Sequence, residues 1–239
     1  MSSGEEQALI QSKPNFPNTR FQAQQGVGMT SQRTRNRLVE ELIGLGVNHY
    51  GVLNSIKVTP RHLFLDEALA SRAYENTALP IGFQQTISHP WVVAKMSSWL
   101  FQNAGMNKVL EVGTGSGYQT SILAQLAKQV YSVERIQPLL TRAQKVLSSL
   151  EINNVEFLLT DGHWGWTEHA HYDGIISAAS PAEVPQALID QLKEGGRLIM
   201  PIGEQEQLLY GFIKTSTGYT KECLGEVLFV PMKEGLIEE

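Results

Sequence analysis

Apolar and polar positions change period several times along this chain of 239 residues. Over its middle part, short apolar runs alternate with segments whose apolar positions recur at helical spacing. Strands are expected over 109–112, 130–133, 155–159, 172–176 and 197–201. Between them lie three helices. One carries Ile122, Leu123 and Leu126 on a face. The second, over 138–150, carries Leu139, Leu140, Val146, Leu147 and Leu150. The third covers 183–192 and stops at Lys193-Glu-Gly-Gly196. Alternating strand and helix implies a parallel sheet covered on both faces. Two terminal strands, over 207–215 and 226–230, are expected to follow, joined through the Thr217-Gly218 turn region.

The first hundred residues read differently. Residues 1–31 are rich in Gln, Ser, Asn and Gly, show no period, and are expected to be a mobile tail. Ser31 can cap a helix reaching about residue 45, with Leu38, Val39, Leu42 and Ile43 as its apolar stripe and Gly44 and Gly46 as its stop. A short helix follows over 50–56, then an irregular stretch. Another helix, over 90–102, opens with Pro90 and buries Val92, Met96, Trp99 and Leu100. The expected organisation is a tail (1–31), a helical cap carrying a loop (32–107), a cofactor-binding core (108–203) and closing strands (204–239).

Composition adds bounds. Hydrophobic residues are 42% of the chain and the formal net charge is −5, which argues against a nucleic-acid partner. No apolar run approaches a membrane span, and no basic-then-apolar leader opens the sequence. The single cysteine, Cys223, forbids an internal disulfide. A soluble, monomeric, cytoplasmic protein is expected.

The chemistry centres on Val109-Leu-Glu-Val-Gly-Thr-Gly-Ser-Gly-Tyr118. Strand, glycine-rich turn and helix together suit a cofactor, because glycines let the backbone turn sharply and let a ligand approach it closely. Glu134 ends the next strand, where an acid can accept hydrogen bonds from ribose hydroxyls. NAD and S-adenosylmethionine both fit this pattern. Asp161 and Gly162 end the following strand at the same edge of the sheet. Asp161 there can accept from an adenine amino group or act as a turn aspartate.

A second stretch, residues 81–90, reads as a polar, uncharged loop that ends at a helix start, so Ser88 is a candidate helix cap. His163, His169 and His171 lie near Trp164 and Trp166. They lack metal-ligand spacing and read as a solvated loop. No nucleophile elbow or Walker lysine is present.

With these residues in hand, the chain resembles the protein-L-isoaspartate O-methyltransferases. Four stretches carry the resemblance: Val58-Thr-Pro-Arg-His-Leu-Phe64, Leu79-Pro-Ile-Gly-Phe-Gln-Gln-Thr-Ile-Ser88, the glycine motif, and Gly195-Gly-Arg-Leu-Ile-Met-Pro-Ile-Gly203. Leu228-Phe-Val-Pro231 is similar to the family's closing strand. The glycine motif identifies only the class of S-adenosylmethionine enzymes, whereas the Gln-Thr-Ile-Ser loop is typical of this family. The resemblance implies an α/β, Rossmann-like class I methyltransferase fold with S-adenosyl-L-methionine as donor. The implied substrate is the free carboxylate of L-isoaspartyl, and more weakly D-aspartyl, residues in damaged proteins and peptides. The alternative is a class I methyltransferase acting on another protein or small molecule.

The family's active-site serine falls on Ser88. The resemblance implies cofactor contacts at Gln85, Thr86, Ile87, Ser88, Glu111, Gly113, Gly115, Ser116, Gly117, Glu134, Arg135, Asp161, Gly162 and Gln207. It implies substrate contacts at Thr86, Ile87, Ser177, Ile202 and Gly203. The loop Ser177-Ala-Ala-Ser180 departs from the family, which more usually has Thr first and Ala or Pro last. No metal is implied.

Overall fold

The computed structural model describes residues 26–102 and 105–239. Most of the expected tail, residues 1–25, lies outside them. Of the remainder, Gly28–Thr30 form a short 3-10 turn that packs against the 3-10 stretch Glu67–Arg72.

A seven-stranded sheet organises the chain. Its strands are β3 (Met106–Val112), β4 (Ala127–Glu134), β5 (Val155–Leu159), β6 (Tyr172–Ser177), β8 (Leu192–Ile202), β9 (Gln207–Thr215) and β10 (Gly218–Val227). They lie in the order β10-β9-β8-β6-β3-β4-β5. The five from β8 to β5 are parallel, and β9 runs antiparallel to both β8 and β10. Because β3 pairs with both β4 and β6, the winding reverses beside it. A crevice therefore opens at the carboxyl ends of β3 and β6.

Alternation along the strands sorts the core. Val109, Val130, Ile176, Ile199 and Leu209 point to one face and pack with Met96 and Leu100 of α3 (Pro90–Leu100) and Leu123 of α4 (Tyr118–Ala124). Leu110, Val112, Tyr131, Val133, Ile175, Leu198 and Met200 point to the other and pack with Leu188 and Ile189 of α6 (Gln186–Asp190). A third cluster joins the cap helices α1 (Gln32–Gly44) and α2 (Tyr50–Val58) to α3, α4 and α5 (Gln137–Ser149). The fold expected from the residues and the resemblance, a mostly parallel sheet with helices on both faces and a helical cap, is the one observed.

Several elements differ from expectation for physical reasons. The stretch expected as a loop contains a hairpin, β1 (Leu79–Gly82) against β2 (Gln85–Ile87). The helix expected over 183–192 keeps only α6, because Pro185 biases the residue before it away from helical backbone. The last expected strand, 226–230, is replaced by β10, an exposed edge strand of mostly polar residues without an apolar alternation to reveal it. The chain then adds β11 (Val230–Pro231), which runs parallel to β7 (Ala179–Ser180) across the top of the sheet. In α1, Leu38 and Leu42 are buried but Ile43 is exposed. The inward face includes the buried Arg35 instead.

Candidate active site

The glycine turn sits at the crevice. Gly113, Gly115 and Gly117 all have positive φ, at 94°, 53° and 87°. A Cβ on Gly117 would meet Ala143 Cβ at 3.1 Å and Leu147 Cδ1 at 3.2 Å on α5, so a side chain there would press on α5 as well as strain a left-handed backbone. Gly117→Ala is expected to destabilise the protein by about 1–2 kcal/mol, measured as a lower urea midpoint at unchanged m.

The turn is held by main-chain and carboxylate contacts. Gly113 N donates to Val133 O at 2.8 Å. Gly115 N donates to Glu134 Oε2 at 2.8 Å, while Glu134 Oε1 accepts from Arg135 N at 2.8 Å and Ile136 N at 3.0 Å. Burial holds the Glu134 carboxyl above its ordinary range despite these donors.

Behind the turn lies Glu111, fully buried. Its Oε2 accepts from the hydroxyls of Thr120 and Ser132, each at 2.5 Å, and its buried Oε1 has no hydrogen bond among the described residues. Burial pushes the Glu111 carboxyl up to about 8, with nearby Glu134 adding to the rise and the two hydroxyls opposing it.

Two adjoining spaces meet here. A cleft is walled by Gln85, Thr86, Gly113, Gly115, Glu134, Arg135, Thr160, Gly162 and Ala178, and closed by residues 230–233. Beside it, a cavity of about 10 Å³ lies between Ser88, Val92, Glu111, Gln119, Ala178 and Phe229. Ala178 borders both.

Ser88 stands two residues before α3 and does not cap it. The N-cap residue is His89, and no hydrogen bond of the Ser88 hydroxyl is found among the described residues. Its carbonyl accepts from Arg61 Nη2 at 2.9 Å. The β1–β2 hairpin that leads to Ser88 turns through Phe83 and Gln84, both at positive φ (52° and 57°). Type I′ tips normally draw Gly, Asn or Asp. Non-glycine residues there cost of order 1 kcal/mol each.

The chain closes the cleft with its own backbone. Met232 N donates to Ser180 O, Ile237 N to Arg135 O, and Gln137 N to Ile237 O, each at 2.8 Å. Arg135 reaches Gly235 O and Glu234 O.

Of the sequence-derived candidates, the structure brings Gln85, Thr86, Ser88, Glu111, Gly113, Gly115, Glu134, Arg135 and Gly162 to these two spaces. Ile87 is buried in the cap core, and Ser116 Oγ accepts from Tyr118 N. Others stand outside the lining, with their polar groups already engaged. Ser177 is fully buried and donates to Ala179 O at 2.9 Å. Asp161 accepts from His163 and from Gly235 N, which locks the turn after β5. Gln207 exchanges two hydrogen bonds with the backbone of Phe229. Gly203 bonds Pro181 O and Ser180 Oγ, and Ile202 packs into the core beneath.

Sequence reasoning did not single out Thr160, Ala178, Gln119 or residues 230–233 as lining, although the strand end Thr160-Asp161-Gly162, the loop from Ser177 to Pro181 and the run Leu228-Phe-Val-Pro231 gave signals for their neighbourhoods. In the aromatic loop, His169 stacks on Tyr131 at 4.2 Å and Trp166 meets both rings edge-on, so it packs under the sheet.

Comparison with known proteins bears on this arrangement. The family model described as protein-L-isoaspartate(D-aspartate) O-methyltransferase matches residues 32–236. A protein-L-isoaspartate O-methyltransferase of Pseudomonas paraeruginosa is 52% identical over 210 residues, covering 87% of this chain and 100% of the relative. One from Pseudomonas syringae pv. tomato gives the same figures. Among solved structures, a protein-L-isoaspartate O-methyltransferase superposes with TM-score 0.77 at 29% identity, over 85% of this chain and 67% of the other. A putative one from Plasmodium falciparum, in complex with S-adenosyl-L-homocysteine, gives 0.74 at 27% identity, over 83% and 98%.

Proposed function

Because the chain belongs to the protein-L-isoaspartate(D-aspartate) O-methyltransferase family, we propose that its cleft seats S-adenosylmethionine and that Ser88 holds the substrate carboxylate beside it. The enzyme transfers a methyl group from S-adenosylmethionine to the free carboxylate of L-isoaspartyl residues in damaged proteins, which initiates their repair.

The residues fit the donor. Gly113 and Gly115, both at positive φ, leave a stretch of cleft wall without Cβ atoms. Glu134 stands in the cleft wall and, with three of its roughly four acceptor sites taken by backbone N–H groups, keeps one on Oε2 for a ribose hydroxyl. The unpartnered, buried Oε1 of Glu111 suits the ammonium of the methionyl group, because an orphaned buried oxygen is costly until a donor reaches it. The bound sulfonium supplies an already activated methyl group.

This chain's own residues then have little acid–base work. A substrate carboxylate is ionised at neutral pH, so no general base is needed. Alignment remains. The Ser88 hydroxyl donates to the carboxylate, supported by backbone N–H groups near Thr86 and by the amino end of α3, whose dipole favours negative charge. A direct cation would bind the carboxylate more tightly but blunt it as a nucleophile. Substrate recognition falls to main-chain contacts, because isomerised aspartate differs from aspartate by one methylene moved into the backbone. A monomeric, cytoplasmic enzyme without a nucleic-acid or membrane partner is our reading. It is supported by the net charge of −5, and among the described residues no helix is long and apolar enough to cross a membrane.

The observation that carries this reading is that one small cavity is lined by both Ser88 and Glu111. The test is methyl transfer to matched peptides. The isoaspartyl peptide should be methylated and its aspartyl twin left unmodified. Equal labelling of both would sink the substrate assignment.

A further inference from the structure

The stretch Val58-Thr-Pro-Arg-His-Leu-Phe64 contributes no residue to either space, yet it places Arg61 at the centre of the molecule. Arg61 is fully buried, and among the described residues no carboxylate lies beside it. Its contacts are carbonyls and the side chain of Tyr118. Nε donates to Ala73 O at 2.8 Å, and Nη2 donates to Ser88 O at 2.9 Å and, at 3.5 Å, to Thr77 O. Cζ lies 4.6 Å over the ring of Tyr118. Nη1 is buried without a hydrogen bond among the described residues.

This placement is costly, since a buried cation normally demands an opposite charge. What the guanidinium touches accounts for it. Ser88 ends the loop on the substrate side, and Tyr118 is the first residue of α4, immediately after the glycine turn on the cofactor side. One rigid, planar group therefore spans both halves of the site from behind. A fork of five fixed donors can hold several carbonyls at set angles, which a flexible ammonium cannot. We propose that Arg61 is a positioning residue for methyl transfer, setting the separation between the Ser88 loop and the glycine turn. Its positive charge also lies behind Ser88, where it favours an arriving carboxylate without touching and blunting it. The inference rests on the reading of Ser88 as the carboxylate-holding residue.

Burial lowers Arg61 to about 10, against the opposing influence of Tyr118 and Tyr74, so it stays charged at neutral pH. Among the described residues Arg35 also faces this region and acts on Tyr74 and His62. A lysine at position 61 would be far easier to discharge in the same burial.

The experiment compares Arg61→Lys, Arg61→Met and Ser88→Ala with wild type, at saturating S-adenosylmethionine and an isoaspartyl peptide. Arg61→Met is expected to lose about tenfold in kcat and Arg61→Lys about threefold at pH 7, as one retained donor restores part of the grip. S-adenosylhomocysteine affinity should stay within about threefold, since the glycine turn is held separately by Glu134 and Val133. The Arg61→Lys to wild-type kcat ratio should fall further as pH rises from 7 to 9 and the buried amine discharges. A packing role alone would not give that slope. Three results overturn the proposal: a folded Arg61→Lys with wild-type kcat across the range, loss of cofactor affinity in step with kcat, or failure of both variants to fold. Wild-type turnover in Ser88→Ala refutes the hydroxyl's role and is read separately from the Arg61 results.

Discussion

A Ser88→Ala enzyme should methylate an isoaspartyl peptide about a hundredfold more slowly than wild type, the cost of letting the attacking carboxylate oxygen fall out of line with the donor methyl. Its affinity for S-adenosylhomocysteine should stay within about twofold. The expectation follows from a comparison of serines. The hydroxyls of Ser177 and Ser180 are spent on Ala179 O and Gly203 O. That of Ser88 has no partner among the described residues and faces the cavity it shares with Glu111. Alanine fits the same backbone, so the fold and the Arg61 contact to the Ser88 carbonyl are kept. Steady-state kcat together with a binding titration separates the two effects. A variant that loses cofactor affinity instead of turnover would place Ser88 on the wrong half of the site.

Glu111→Gln should weaken S-adenosylhomocysteine binding by between tenfold and a hundredfold, the order of a buried charge-assisted hydrogen bond. It should also make the ligand-free protein more stable at pH 8. The signs follow from the raised Glu111 carboxyl, at about 8 in the fold. Between the ordinary carboxylate range and that value, the folded state keeps a proton that the unfolded state releases. Stability therefore falls as pH rises through this window. Glutamine removes the titration, and the gain at pH 8 is on the order of 2–4 kcal/mol, given about 1.4 kcal/mol per pH unit. In the wild type, an ammonium reaching Oε1 favours the ionised form, so ligand binding should release close to one proton at pH 7 and tighten from pH 6 to 8. Calorimetry in buffers of different ionisation enthalpy reads that proton directly. A binding enthalpy independent of buffer would exclude the coupling.

How much of this was legible beforehand depended on the physical signal. β3, β4, β6 and the body of β8 are buried on both faces, and such strands write themselves as apolar runs. The glycine turn could be read because three closely spaced glycines have few other uses. The β1–β2 hairpin was hidden because its tip is Phe83-Gln84, where turn rules look for glycine or asparagine. β10 was hidden because an exposed edge has no burial pattern to print. Arg35 and Arg61 were hidden because hydropathy assigns arginine to the surface, whereas Arg35 is buried against the Val58 carbonyl and Arg61 against several carbonyls and the Tyr118 ring. Asp161 and Gln207 stand at the right edge of the sheet by sequence. Only the coordinates show their acceptors and donors turned toward the closing strap.

That strap is stitched to the rest of the molecule largely by amide groups: Met232 N to Ser180 O, Ile237 N to Arg135 O and Gln137 N to Ile237 O. Amide tethers are indifferent to the side chains that ride on them. The wall over the cleft can thus be redecorated at Lys233, Glu234 or Leu236 while its course holds, whereas a residue lacking an N–H at 232, 235 or 237 would remove one of its tethers.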